Sequence, residues 1–207
     1  MAALADRLLP AGSAREDHYV HLHGATWADY ERLLVIRDES AVPRITYLEG
    51  TLEIMSPSLP HESIKSTIGR LVEVWCLEHG VEFSAAGSWT IKDKREEAGA
   101  EPDECYIFGP VGNRERPELA IEVVWTHGGL DKLGVYRRLG VPEVWYFRDG
   151  RIEVHVLRGT RYEQTERSEA LPGIDLEQLA SFLDRETTSR AIRDYRAALA
   201  NDRRTPR

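Results

Sequence analysis

The chain is poor in cysteine, with Cys76 and Cys105 alone in 207 residues and no C-x-x-C pair. That excludes a disulfide framework and fits a reducing cytoplasm. No run of eighteen apolar residues occurs, so no membrane-spanning helix is expected. The first residues, MAALADRLLPAGSAREDHY, carry Asp6 and lack the basic start of a signal peptide. G-x-x-x-x-G-K-[ST], G-x-G-x-x-G, H-E-x-x-H and G-x-S-x-G are all missing. His61-Glu62 opens like the zinc-protease motif, but Lys65 stands where the second histidine belongs. Excess positive charge is lacking too. A net charge of −8 excludes nucleic-acid binding by overall electrostatics alone. The exception is residues 185–207, where seven arginines face Glu186, Asp194 and Asp202 for a net +4. Such a tail suits phosphate contact or a solvated helix of mixed charge.

What is present reads as a mixed α/β domain around a central sheet. Thr26 is a good N-cap for the helix WADYERLLVIRDE. RITYLEG and TLEIM meet near Glu49-Gly50 as a hairpin. From His61 to His79, Ile64, Ile68, Leu71, Val72 and Trp75 fall on one helical face, and Gly80 stands where a C-cap glycine belongs. VEFS, SWTIK, DECYIF and ELAIEVVWT read as strands, with KDKREEAGAE as a charged loop. LDKLGVYRRLG is a short helix. EVWYF and RIEVHVL flank the Arg148-Asp149-Gly150 turn, RYEQTERS adds a strand, and two helices follow. The organisation expected is an arm at 1–23, a domain at 24–185, and a basic helix and tail at 186–207. His21 and His23 lie two apart, a spacing open to a metal or to plain solvation.

Two acidic features call for an explanation. EPDECYIF places Asp103 and Glu104 at the head of an apolar strand. In ELAIEVVWT, alternation sets Leu119, Ile121, Val123 and Trp125 on one face and Glu122 on the other, between Ala120 and Val124. A carboxylate so placed must be paired, hydrogen-bonded or metal-bound. If the two strands pair, Asp103 and Glu122 converge at one end of the sheet. Two such carboxylates form a hard-oxygen site suited to Mg²⁺ or Mn²⁺. Lys132, in the first turn of the next helix and reached through Gly128-Gly129, is placed to orient a water or to steady developing charge, or else simply to solubilise the helix.

Pro102-Asp103 followed by Glu122-x-Val124 resembles the PD-(D/E)XK nuclease superfamily. RITYLEGTLEIMSPSLPHE, GAEPDECY, IEVVWTHGGLDKL and LGVPEVWYF, in that order, resemble a bacterial family of restriction-endonuclease-like domains within it. The match runs from about Tyr47 to His155, and more weakly from Trp27 to Leu183. The resemblance implies a restriction-endonuclease-like mixed central sheet flanked by helices, with an N-terminal β-hairpin. It implies Asp103 and Glu122 as metal ligands for Mg²⁺ or Mn²⁺, DNA as substrate, and a homodimer that cuts two strands. His61 matches the family's histidine, and Glu62 is a candidate for an additional catalytic carboxylate. Glu101 and Glu104 are weaker ligand candidates. Two departures stand out. Val124 occupies the superfamily's lysine position, which leaves Lys132, or failing that Lys92, as the replacement. His127 stands where a small polar residue is usual.

Two functions follow from different classes. One is a metal-dependent DNA endonuclease. The other is a catalytically inactive nuclease-like domain that binds nucleic acid or protein, which Val124 and the negative net charge favour. A basic rim beside the carboxylates discriminates between them, and Lys92, Lys94, Arg95, Arg137 and Arg138 are its candidates.

Overall fold

A computed structural model describes residues 16–125 and 129–203. Among these residues the chain forms eleven strands and five helices, in two sheets. The first helix, α1 (Trp27–Arg37), starts at a capping box: Thr26 N donates to the Asp29 carboxylate at 2.9 Å, and Asp29 N donates back to Thr26 Oγ1 at 3.2 Å. Strands β2 (Arg44–Leu48) and β3 (Thr51–Ser56) form the expected hairpin. Its two turn residues, Glu49 and Gly50, both take positive φ, as a tight hairpin with the right-handed twist requires.

The hairpin belongs to a sheet of its own. β1 (His18–His23) pairs antiparallel with β3, so the end of the segment expected as an arm is an edge strand; residues 1–15 lie outside the described residues. β5 (Ile91–Asp93) and β6 (Ala98–Ala100) complete the order β1-β3-β2-β6-β5. Here the structure corrects the sequence reading, because KDKREEAGAE contains a strand pairing and is not simply a charged loop. Ala-Gly-Ala has little strand propensity. It is held extended by pairing with β2 and β5, and Gly99 leaves room for Tyr30: a Cβ there would overlap the Tyr30 ring. Trp27 and Tyr30 of α1 pack on Tyr47 of β2, Tyr30 stacked on its ring and Trp27 edge-on to it.

The second sheet is the mixed central one, in the order β11-β10-β9-β8-β7-β4. Its strands are β4 (Phe83–Ala85), β7 (Glu104–Phe108), β8 (Leu119–Val123), β9 (Glu143–Arg148), β10 (Arg151–Arg158) and β11 (Arg161–Thr165). Only β8 and β9 run parallel. A parallel pair needs a crossover, and α3 (Lys132–Leu139) supplies it. The long helix α2 (Leu59–His79) begins at Ser58 and ends at Gly80, which adopts the left-handed conformation. Its Ile64, Ile68, Leu71, Val72 and Trp75 pack on Leu119, Ile121 and Val123 of β8. The opposite face of β8 offers Ala120 to Val135, Tyr136 and Leu139 of α3. The alternation read in ELAIEVVWT is therefore a division between two cores.

A short helix, α4 (Leu176–Ala180), precedes α5 (Thr188–Asp202). α5 buries Ala191, Tyr195 and Leu199 in the same core as α2, so the basic helix expected at the C-terminal end forms and is packed into the domain as far as Leu199. No helix among the described residues is long and apolar enough to cross a membrane.

Candidate active site

β7 and β8 pair antiparallel with Glu104 opposite Ile121. One step outward, that register sets Asp103 beside Glu122. Asp103 is 1% exposed. Its Oδ2 accepts from the backbone N–H of Val123 at 2.6 Å, so it also caps the end of β8. Its Oδ1 receives the Arg44 guanidinium and lies 3.0 Å from His61 Nε2. The acid that heads an apolar strand thus belongs to a buried charge network.

That network reaches back through α2. His61 Nδ1 lies 3.0 Å from Asp17 Oδ2, so a carboxylate faces each ring nitrogen. Asp17 Oδ1 accepts from Ser58 N at 2.8 Å. Arg44 divides its guanidinium between Asp103 and Glu62, the latter at 2.6 Å, and Lys65 lies 3.1 Å from the other Glu62 oxygen. Burial pushes the Asp17 carboxyl up, but the His61 and Ser58 bonds more than offset it and hold the group below the usual carboxylate range. A depressed carboxyl contributes stability above its unfolded pKa, and that contribution is lost as pH falls through the folded value. Asp17→Asn is therefore expected to flatten the acid limb of the stability profile below about pH 4. Urea midpoints followed down through that range check it; parallel limbs in the two proteins would refute it.

Glu122 projects from the α3 side of β8. Its Oε1 accepts from the Tyr136 hydroxyl, and Lys132 Nζ lies 3.7 Å away. Burial first, then the Glu122 charge, pushes the Tyr136 hydroxyl well above its ordinary pKa, so it stays a donor. Lys132 and Tyr136 are four residues apart, on one helical face.

Asp103, Glu122, Lys132 and His61 all line one cavity of about 170 Å³. Glu62 does not line it; it stands behind, as the partner of Arg44 and Lys65. Glu101 is committed to Arg37, Ile45 N and Thr90. Glu104 is 3.8 Å from Lys65. Lys92 pairs with Glu31 at 3.5 Å, away from the cavity, which leaves Lys132 as the lysine near Glu122. None of the residues expected as a basic rim lines the cavity, and two of them are paired with acids: Arg95 with Asp93, and Arg138 with Glu49. His127 and Gly128 lie outside the described residues.

Sequence reasoning missed several residues of this cavity. Arg44, Glu53, Tyr146 and Arg148 line it, and Tyr136 and Asp17 support it. Tyr136 had a signal in its spacing from Lys132. Glu53 is a second carboxylate inside an apolar strand, the same anomaly as Glu122. One of its oxygens takes His21 Nε2 at 2.9 Å and Leu130 N at 2.6 Å; the other is buried without a hydrogen-bond partner among the described residues.

Among the described residues no three His, Cys, Asp or Glu side chains are grouped to hold a metal by themselves. A side-chain cage of the zinc type is therefore not built among the described residues. Mg²⁺ asks for less: one or two carboxylates, with water and substrate phosphate filling the rest. The carboxylates that line the cavity are Asp103, Glu122 and Glu53.

A model of the family described as "Uma2: Putative restriction endonuclease" matches residues 27–186. No curated protein matches the chain. Among solved structures, a putative nuclease belonging to DUF820 from Anabaena variabilis is 16% identical, with a TM-score of 0.46 over 80% of this chain and 96% of that one.

Proposed function

The chain belongs to the Uma2 family of putative restriction endonucleases, and from that we propose that it is a metal-dependent endonuclease hydrolysing DNA phosphodiester bonds. One observation carries the reading: two buried carboxylates at adjacent strand ends share a cavity with a lysine 3.7 Å from one of them. Asp103 and Glu122 would hold Mg²⁺ or Mn²⁺. When bound, the ion supplies Lewis acidity at the phosphoryl oxygen and acidifies a water.

The chain's own residues do the rest. Arg44 and His61 hold Asp103 in a fixed orientation, and the Val123 N–H pins its second oxygen. Tyr136 fixes Glu122 in the same way. Lys132 orients the attacking water and steadies the charge that builds on the phosphate. It takes over the role that Val124 cannot perform. Cutting both strands of a duplex takes two such sites, so the working form we propose is a homodimer. Its free thiols, Cys76 and Cys105, are buried and suit a reducing cytoplasm.

The test is nicking of supercoiled plasmid. Wild type should nick with Mg²⁺ or Mn²⁺ and stop when EDTA removes the ion. Glu122→Gln should bind Mn²⁺ at least tenfold more weakly, about 1.4 kcal/mol. If wild type leaves plasmid intact in both metals, the non-catalytic module is the better reading.

A further inference from the structure

Three cations line the cavity, and two are already committed. Lys132 faces Glu122, and Arg44 is shared by Asp103 and Glu62. Arg148, the last residue of β9, is the third. β8 and β9 run parallel with Glu122 beside Tyr146. Arg148 lies two residues beyond Tyr146, so it projects from the same face of the sheet as Glu122. Its guanidinium sits over the Tyr146 ring, 5.6 Å from the centroid. Its ion pair, with Glu153, is at 4.0 Å and loose. Its Nε is buried with no hydrogen-bond partner among the described residues, while the side chain as a whole is 39% exposed. An arginine held on an aromatic platform, with donors to spare and one edge open, is arranged to receive an anion. Its planar fork matches a phosphate's oxygens.

We propose that Arg148 is a substrate-binding residue that holds a backbone phosphate of the DNA strand, with Tyr146 as its platform. The proposal rests on the nuclease reading above. It also addresses a difficulty that reading carries. A chain of net charge −8 must attract DNA locally, and none of the residues expected to form a basic rim lines the cavity. Arg148 supplies positive charge at the cavity without drawing on the lysine or the carboxylates. A purely structural arginine, serving as counter-ion to Glu153, would occupy the same place, so the test must separate the two.

The experiment measures binding of a short fluorescein-labelled DNA duplex to the full chain by anisotropy, with Ca²⁺ in place of Mg²⁺ and rising KCl. Arg148→Ala should weaken binding about tenfold at low salt and reduce the slope of log Kd against log salt by about 1, one phosphate contact. Arg148→Lys should restore the slope but only part of the affinity, because an ammonium is a point charge without the fork. Arg161→Ala, which removes an exposed arginine paired with Glu163 on the edge strand β11, should match wild type. Thermal unfolding of each variant confirms that it is folded. Wild-type affinity and slope in folded Arg148→Ala would overturn the proposal and leave Arg148 as a counter-ion. An absence of salt-dependent DNA binding by wild type itself would remove the nuclease reading, and this proposal with it.

Discussion

Asp103→Ala should cost about 3–5 kcal/mol of folding stability, the usual penalty for removing one partner of a buried ion pair. The reason is what the substitution leaves behind. Arg44 is 3% exposed and His61 1%, and both turn a nitrogen toward Asp103 Oδ1. Val123 N loses its acceptor as well. Arg44 keeps Glu62, which is partly exposed and cannot satisfy the whole guanidinium. Urea unfolding measures the loss directly. A cost below about 1 kcal/mol, the range of exposed pairs, would mean that water reaches Arg44 and the network is not buried in solution. A double variant separates charge from packing: Asp103→Leu with Arg44→Met should recover part of the loss, since apolar replacement of a complete buried pair is often neutral. Neither variant should retain the wild-type affinity for Mn²⁺.

Lys132→Ala should lower the rate of plasmid cleavage by about 10² to 10⁴, the usual worth of a positioned proton-transfer group. Mn²⁺ affinity should hardly change, since an ammonium is no ligand. The geometry makes this a specific expectation. Lys132 is the first residue of α3, where the Asp131 side chain caps the helix by accepting from Gly134 N at 3.1 Å. Val135, Tyr136 and Leu139 hold the helix in the core, so the lysine has a fixed base from which to reach Glu122. Its side chain is 16% exposed. A surface lysine kept for solubility would leave the rate untouched, and a wild-type rate in Lys132→Ala would establish that reading. Lys132→Arg should rescue poorly, because a planar guanidinium does not replace a compact ammonium.

Much of this site was legible because its acids break a local rule. Glu122 interrupts a strand whose other residues are apolar, and Asp103 begins one; periodicity alone exposes both. The hairpins were legible too, because Glu49-Gly50 and Asp149-Gly150 take positive φ and their sequences advertise it. Other parts have no local signature. β6 is Ala-Gly-Ala, extended by its pairing with β2 and β5, and its glycine makes room for Tyr30, nearly seventy positions earlier. β1 is largely exposed, an edge strand that reads as part of an arm until β3 is seen beside it. Asp17 and Arg44 join the network only because the first sheet sets them against α2, and no spacing rule relates residue 17 to residue 61. The departure at Val124 and the candidacy of Lys132 were visible in the sequence; that Lys132, and not Lys92, stands beside Glu122 needed the crossover to be traced.

The placement of Lys132 on that crossover sets the mechanics of the site. A lysine two residues after the glutamate, on the same strand, would have its separation set by the pleat of the backbone. Here the separation is set by how α3 seats against Ala120 and Val144. Tyr136 rides on the same helix and touches the same Glu122 oxygen as Lys132 approaches. The helix is therefore a lever with two contacts on one fulcrum: any tilt or slide displaces the lysine and the tyrosine together.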